Sequence, residues 1–162
     1  MRHLPFTAVA LVAAFFTGRV VYRALASDET RIRWVLEEEA EAFNGARMLT
    51  ILDGFAPEYR DATTGLKRGE LRAALLHVFQ SRRDPATRRF LYRVELPEAD
   101  LRVEVDGDTA RATFRLRLHE GSGAGEELAW ELDVAAELER RDGEWLVIGS
   151  RHETLHGGRP RR

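Results

Sequence analysis

The feature that most constrains the fold of this chain is a change in the spacing of its apolar residues at Pro85. Before Pro85 the apolar residues recur at intervals of three and four, which is the spacing of amphipathic helices. After Pro85 they alternate with polar residues, as in half-buried strands. A chain with its helices first and its strands afterwards favours an α+β fold, in which helices cover one face of an antiparallel sheet.

Three amphipathic helices are predicted before Pro85. The helical spacing extends over residues 28–44 and 68–83, and the short apolar run at 48–52 is interpreted as a brief helix between them. Ser27 or Asp28 caps the first helix, which stops near Gly45, and Pro85 closes the third. Residues 55–65, FAPEYRDATTG, are predicted to form a loop with room for a short extended segment.

Short strands are predicted after Pro85. Apolar and polar residues alternate over residues 90–96, 101–105, 110–118, 128–138 and 144–155. The turn sequences Asp-Gly-Asp at 106–108 and Arg-Asp-Gly at 141–143 join neighbouring strands into an antiparallel meander. The polar face of 110–118 is basic and that of 128–138 is acidic, which predicts cross-strand ion pairs. We therefore expect about three helices packed on a curved, mainly antiparallel sheet of four to five strands.

Residues 1–26 are expected to form a membrane anchor or a signal peptide. An apolar block of about 13 residues begins at Leu4, which is the length of the apolar part of a signal peptide. Ala-Leu-Ala at 24–26 fits a cleavage site, whereas Arg19 and Arg23 favour a retained anchor that contacts the membrane through residues 4–22. A buried N-terminal helix is the third alternative. The first two indicate the cell envelope. We expect the domain to lie outside the cytoplasm; the alternative that Arg19 and Arg23 leave open is a retained anchor with the domain on the cytoplasmic side.

The composition excludes several kinds of site and partner. The chain has no cysteine, which excludes disulfides, thiolate nucleophiles, iron–sulfur clusters and acylation as a lipoprotein. Residues 1–26 hold three of the 25 Lys and Arg residues and none of the 27 acidic residues, so the rest of the chain is net acidic. Nucleic-acid binders usually carry a clustered basic face. No nucleic-acid partner is expected, and the basic residues 157–162 are interpreted as a flexible tail.

Several segments of the chain carry a resemblance to a known superfamily. They are the helix at 28–44, ILDGFAPEYRDATTGLKRGELRAALLHVF at 51–79, GDTARATFRLRL at 107–118 and RRDGEWLVIGSRHETL at 140–155. In this order they resemble the nuclear transport factor 2-like superfamily, the cone-shaped α+β fold shared with SnoaL-like cyclases and ketosteroid isomerase. The resemblance implies one domain over residues 27–156, a cavity between the helices and the concave face of the sheet, and a homodimer through the outer sheet face.

The resemblance also implies where catalytic groups would lie. Enzymes of this superfamily place an Asp base and acidic or phenolic hydrogen-bond donors in the cavity. The predicted inward positions of the late strands hold no carboxylate, so the remaining acid–base candidates are Tyr59 and Asp61, near the cavity mouth. In the alternative interpretation Asp61 caps a turn and the Tyr59 hydroxyl faces water. Trp34 and Phe114 complete the candidate ligand pocket.

Residues 152–156, HETLH, match the H-E-x-x-H pattern of zinc peptidases. That motif binds zinc on a helix, where its two histidines share one face about one turn apart. The sequence here predicts the end of a strand, in which His152 and His156 share a face but stand about 13 Å apart, too far to bind one zinc. We therefore predict no metal site. The other candidate histidines, His77 and His119, are expected on solvent-facing sides of their elements.

Two functional hypotheses remain at this point. The first is a non-catalytic, membrane-tethered or exported binding domain for a small apolar ligand or an envelope protein partner. The second is an isomerase, dehydratase or cyclase that acts on a small molecule through Tyr59 and Asp61. The apolar interior of the sheet and the N-terminal segment favour the first hypothesis. Neither hypothesis requires a cofactor.

Overall fold

The computed structural model describes residues 26–121 and 123–157. The helices are α1 Asp28–Asn44, α2 Met48–Asp53 and α3 Arg68–Ser81. The strands are β1 Phe55–Asp61, β2 Tyr92–Glu95, β3 Arg102–Asp106, β4 Thr109–Glu120, β5 Glu127–Arg141 and β6 Glu144–Gly157. The three predicted helices are thus present close to their expected bounds.

The predicted membrane-contacting residues 4–22 lie outside the described residues, as does the tail from 158 onward. Within residues 26–121 and 123–157, no helix is long and apolar enough to cross a membrane. The proposed boundaries of the N-terminal segment, the domain and the tail remain predictions.

The sheet has six strands and is mixed, whereas the sequence predicted four to five mainly antiparallel strands. The strand order is β1-β6-β5-β4-β2, and β3 pairs with another part of β4. The additional strand, β1, occupies the segment expected to be a loop and runs parallel to β6. The residues of β1 show no clear alternation of apolar and polar side chains. They form a strand because they hydrogen-bond along the edge of β6.

The predicted cross-strand ion pairs are confirmed on the outer face of the sheet. Arg117 Nε lies 2.8 Å from Glu131 Oε1, and Arg115 Nε lies 3.6 Å from Asp133 Oδ1. Such exposed pairs contribute about 0 to 1 kcal/mol each. Their main consequence is to fix the register of β4 against β5, which keeps the apolar residues on the concave face.

A β-bulge in β6 reverses which of its residues face the cavity. Leu138 of β5 pairs with Val147, and the preceding residue Glu137 pairs with Gly149, so Ile148 is an extra residue in β6. One extra residue exchanges the two faces of a strand for all positions that follow.

Beyond this bulge, Ser150 pairs with Ala136 and His152 pairs with Val134. Ala136 and Val134 both line the concave face. Because directly paired residues point to the same face of a sheet, Ser150 and His152 also point to the concave face. Strict alternation from Trp145 would have placed both residues outside.

The first helix is fixed to the sheet at its N-terminal end. Asp28 accepts hydrogen bonds from Arg140 at 3.0 Å and from the indole Nε1 of Trp145 at 3.2 Å. The fully buried Ile32 and Leu138 lie in the core cluster beneath. These contacts hold α1 above the concave face, which leaves the space next to it for a cavity.

Candidate functional site

A cavity of about 810 Å³ lies between the three helices and the concave face of the sheet. Its wall is mainly apolar and includes Phe43, Phe55, Leu75, Phe114, Leu132 and Val134. Binding sites for small molecules commonly have this volume and an apolar wall with a few polar groups. The chemistry of the cavity therefore depends on the polar side chains that reach its wall.

One polar group in the wall is the hydroxyl of Tyr59. Tyr59 is buried and its ring contacts Phe55 edge to face, with ring centroids 4.6 Å apart. Its hydroxyl lies 2.7 Å from Ser150 Oγ, and both residues line the cavity. Burial raises the pKa of Tyr59 and outweighs the opposing effect of the Ser150 hydrogen bond. The phenol is therefore neutral at ordinary pH.

Behind this pair lies the carboxylate of Asp61, which is only 4% exposed. Ser150 Oγ donates to Asp61 Oδ2 at 2.8 Å, and His152 Nδ1 lies 3.4 Å from the same oxygen. Asp61 Oδ1 accepts from the backbone N–H and the hydroxyl of Thr64, both at 2.7 Å. We call Tyr59, Ser150, Asp61 and His152 the polar cluster.

The charge state of Asp61 follows from these contacts. Burial by itself would raise the pKa of Asp61, but the hydrogen bonds from Thr64 and Ser150, with the nearby His152, outweigh it and lower the pKa. Asp61 is therefore an ionised carboxylate, which can only accept hydrogen bonds.

The direction of the hydrogen bonds in the polar cluster follows from that charge. A serine hydroxyl has one hydrogen, and Ser150 uses it on the Asp61 carboxylate. Tyr59 must then donate its own hydrogen to Ser150 Oγ, which leaves a lone pair of the Tyr59 oxygen free for a group in the cavity. The cluster is a relay of donors that runs from the cavity wall to a buried anion.

The local sequence explains how the polar cluster is assembled. Tyr59 and Asp61 are two residues apart in β1 and share one face of that strand. The bulge in β6 turns Ser150 and His152 to the same face. Thr63 joins the two strands, since its hydroxyl donates to the His152 carbonyl at 3.1 Å and accepts from the His152 N–H at 2.8 Å.

Two residues of the polar cluster, Tyr59 and Asp61, are thus among those suggested by the sequence, and Ser150 and His152 are not. Tyr59 and Asp61 lie close together and both hydrogen-bond to Ser150 Oγ, but of these two residues only Tyr59 lines the cavity. Asp61 also caps the turn at Thr64, as the alternative interpretation expected, but the Tyr59 hydroxyl is buried and does not face open water. Ser150 and His152 were missed because only pairing with β5 reveals the bulge.

The other candidate residues suggested by the sequence lie outside the polar cluster. Phe114 lines the main cavity, whereas Trp34 lines a second cavity of about 580 Å³ on the other side of α1. His77 is exposed but contributes to the wall of the main cavity. His119 lies on the outer face near Glu95 and Glu126, at 3.3 and 3.5 Å.

The HETLH segment lies in β6, as predicted. Its two histidines point to opposite faces of the sheet. A second bulge places His156 opposite Glu131, on the outer face of the sheet, whereas His152 faces inward. This corrects the expectation that the two histidines share a face. The ring of His152 contacts Trp130 edge to face, with centroids 6.0 Å apart. In the part of the chain that the structure describes, no cluster of three potential metal ligands is found.

Glu39 is a further polar residue of the cavity that the sequence analysis missed. It lies on α1 and contributes to the walls of both cavities. Burial, with smaller contributions from Glu38 and Asp53, raises the pKa of Glu39 to about 9. A signal was present in the sequence, since Glu39 follows Val35 by four residues and Leu36 by three, on the apolar stripe of the helix.

Comparison with known proteins agrees with this architecture. Residues 24–151 match the family described as the SnoaL-like domain. The chain belongs to the SnoaL-like domain family. This confirms the resemblance to the nuclear transport factor 2-like superfamily. No curated protein matches this SnoaL-like domain.

Solved structures similar to this SnoaL-like domain show the same fold. A nuclear transport factor 2-like protein with a cystatin-like fold from Novosphingobium aromaticivorans is 14% identical over 98% of this chain and 94% of its own, with a TM-score of 0.65. A protein of unknown function from Mycobacterium tuberculosis is 19% identical over 77% of this chain and 70% of its own, with a TM-score of 0.63.

A further similar structure is a nuclear transport factor 2-like protein of unknown function from Pseudomonas putida. It is 20% identical over 82% of this chain and 96% of its own, with a TM-score of 0.62. At these identities the likenesses establish the cystatin-like α+β fold of this SnoaL-like domain, and its function has to be argued from its own residues.

Proposed function

We propose that this protein is an acid–base enzyme that binds a small, mainly apolar molecule in the cavity and moves a proton through the polar cluster. The reaction class is an isomerisation, dehydration or cyclisation that begins with removal of a proton from a carbon next to a carbonyl group. The observation that carries the proposal is the convergence of the buried Tyr59 hydroxyl and Asp61 carboxylate on Ser150 Oγ, at 2.7 and 2.8 Å.

The relay provides a route for a proton taken from the ligand. The Tyr59 oxygen receives a proton from a carbon next to a carbonyl group as its own proton moves to Ser150 and the Ser150 proton moves to Asp61. Tyr59 and Ser150 remain neutral in this transfer, so no tyrosinate forms. Asp61 becomes a carboxylic acid, and the electron pair of the broken C–H bond stays on the ligand as an enolate. Return of a proton from the relay to another atom of the ligand completes an isomerisation.

His152 completes the route. The contacts that lower the pKa of Asp61 also make its carboxylate a weak base. The Nδ1 atom of His152 is 3.4 Å from Asp61 Oδ2. In the neutral tautomer with its hydrogen on Nε2, Nδ1 has a lone pair and takes the proton onward. The His152 ring is half-buried, so one part of it lies in the protein and another part reaches solvent. Exchange with water then restores the relay.

A test that needs no knowledge of the natural substrate is exchange of carbon-bound hydrogen in D₂O. A panel of cyclic and aromatic ketones would be incubated with the full chain, and deuterium at the carbon next to the carbonyl would be followed by NMR. We expect faster exchange for ketones that fit the cavity. Tyr59→Phe and Asp61→Asn should slow the exchange by about 10² to 10⁴, the usual contribution of acid–base catalysis.

Asp133→Asn is the matched control, since it removes an exposed carboxylate from the outer sheet face. This variant should exchange at the wild-type rate. Equal rates in the wild type and in Asp61→Asn would overturn the proposal.

The second candidate function is a binding domain without chemistry, which the mainly apolar wall of the cavity favours. It would bind an apolar ligand and leave carbon-bound hydrogen unexchanged in D₂O. Native mass spectrometry of protein purified from its own source would reveal a retained ligand. Export or membrane tethering through residues 4–22, a homodimer and an envelope partner remain part of this second proposal.

A further inference from the structure

Arg82, which directly follows α3, places a permanent positive charge in the wall of the main cavity. Its backbone is fixed on both sides, since its N–H donates to the Val78 carbonyl and its carbonyl accepts from the Leu91 N–H, each at 3.0 Å. The guanidinium lies over the ring of the buried Tyr92, with its central carbon 5.8 Å from the ring centroid. These contacts hold the charge in one place at the cavity.

Most of the other titratable groups in the cavity wall are neutral near pH 7. Burial raises the pKa of Glu39 to about 9 and also raises the pKa values of Tyr59 and Tyr92. Among the wall residues that the structure describes, His77 and Arg82 remain to carry a charge. An arginine keeps its charge at every ordinary pH. A ligand in this cavity therefore meets an apolar surface with a fixed cation in it.

The carboxylate of Glu120 lies beside Arg82 but is not part of the cavity wall. Its Oε1 is 3.9 Å from Arg82 Nη1, and the Glu120 side chain is 43% exposed, so the ion pair is weak. The Arg82 side chain is 30% exposed, so a ligand can reach it. A guanidinium carries five N–H donors in a planar fork and can bind a second carboxylate beside the first.

Arg82 and the polar cluster lie far apart along the sheet. Ser150 is opposite Ala112 of β4, with one residue of β5 between them. Tyr92, beneath Arg82, pairs with Glu120 at the other end of β4. The stretch of strand from Ala112 to Glu120 spans roughly 26 Å at about 3.3 Å per residue. A molecule that contacts both polar positions must therefore be long, with an apolar body between its two polar ends.

We propose that Arg82 is a specificity-determining residue that binds the carboxylate of an elongated, mainly apolar ligand, such as a fatty acid. This inference rests on the proposed function and deepens it by naming the substrate class. A substrate would then carry its carboxylate far from the carbon that loses a proton at Tyr59. The guanidinium suits a carboxylate because two parallel N–H groups meet its two oxygens.

The test uses two probes of matched shape, decanoate and decanamide, which differ in the charge of one end group. Their dissociation constants for the full chain would be measured at pH 7 by displacement of the neutral dye N-phenyl-1-naphthylamine. The quantity of interest is the ratio of the amide constant to the carboxylate constant. We expect Arg82→Gln to lower this ratio about fivefold to tenfold, the effect of one charge-assisted hydrogen bond at a partly exposed site.

Two further variants separate the charge of Arg82 from a structural effect. Arg72→Gln removes an exposed arginine of the same helix that is not part of the cavity wall, and should leave the ratio as in the wild type. Glu120→Gln removes a negative charge beside Arg82 and should raise the ratio about twofold. If Arg82→Gln fails to fold, Glu120→Gln decides, since a ratio that does not rise would overturn the proposal.

The outcomes distinguish this inference from the proposed function. A ratio that is the same in Arg82→Gln and the wild type would overturn the role of Arg82, whatever the rate of deuterium exchange. A lowered ratio would support that role even if exchange proves independent of Asp61, a result that overturns the proposed chemistry alone. Failure of both probes to bind the wild type would overturn this inference, while the neutral ketones would still test the proposed function.

Discussion

Asn44, the last residue of α1, makes two hydrogen bonds with the backbone of Val94 in the edge strand β2. Its Nδ2 donates to the Val94 carbonyl at 2.9 Å, and its Oδ1 accepts from the Val94 N–H at 2.6 Å. The side-chain amide thus pairs with the strand as a neighbouring strand would. This contact joins the end of the first helix to the sheet beside the cavity.

Replacing Asn44 should therefore loosen β2. We expect Asn44→Ala to lower the free energy of unfolding by about 1 to 2 kcal/mol, since both hydrogen bonds are lost. Asn44→Asp, which keeps the acceptor and loses the donor, should have a smaller effect. Chemical denaturation measures both, with the exposed Glu41→Ala on the same helix as control. Equal losses in Asn44→Ala and Glu41→Ala would contradict the role of this contact.

The buried Asp61 should make stability depend on pH in the acid range. Its pKa is lowered in the folded protein, so its contribution is complete above the unfolded value of about 3.9 and is lost as the pH falls through the folded value. We expect Asp61→Asn to destabilise the protein by about 1 to 3 kcal/mol at neutral pH. The difference from the wild type should shrink below about pH 4.

Urea denaturation at a series of pH values would measure this difference. The exposed Asp133→Asn should show a small difference from the wild type throughout. A difference between Asp61→Asn and the wild type that stays constant down to pH 2 would show that the Asp61 pKa is not lowered.

Glu39 should have the opposite effect at higher pH. Its pKa rises from 4.5 to about 9 on folding, so between these values the folded state holds one proton more than the unfolded state. Stability therefore falls with rising pH, by at most about 1.4 kcal/mol per pH unit for one proton. Glu39→Gln should lack this slope and become more stable than the wild type toward pH 9.

The measurement is the free energy of unfolding from pH 5 to pH 9 for the wild type, Glu39→Gln and Glu37→Gln. The last variant changes an exposed glutamate of the same helix and should keep the wild-type slope. Parallel curves for the wild type and Glu39→Gln would contradict a protonated Glu39.

The contact between Gly54 and Glu39 should appear as an energetic coupling. A methyl group at Gly54 would overlap the Glu39 carboxyl, so Gly54→Ala is expected to cost about 1 to 3 kcal/mol of stability. In a Glu39→Ala background the same substitution should cost less than about 0.5 kcal/mol, as the overlapping group is gone. A double-mutant cycle by chemical denaturation measures the coupling. The same cost in both backgrounds would show that Gly54 is required for another reason.

Much of this fold was predictable because its signals are local. The helical spacing of 28–44 and the alternation of 110–118 each reflect burial of one face of a single element. The acidic and basic faces of β4 and β5 also indicated their pairing. These elements already implied helices on a concave sheet, and hence the cavity that the SnoaL-like family resemblance suggested.

The candidate site was only half predictable. The family resemblance makes Tyr59 and Asp61 acid–base candidates near the cavity mouth. Their segment carries no clear strand pattern, because β1 forms only along the edge of β6. Glu39 was passed over among the neighbouring glutamates of α1, although its spacing from Val35 and Leu36 placed it on the buried stripe.

The helices, the late strands and the apolar concave face are predictable from local patterns, because each depends on residues within one element. Which polar side chains reach the cavity depends instead on how the strands pair. Ser150 and His152 point inward because the extra residue Ile148 is accommodated where β6 pairs with β5. The position of a bulge depends on the register of two strands, so alternation within β6 alone points these two residues to the wrong face.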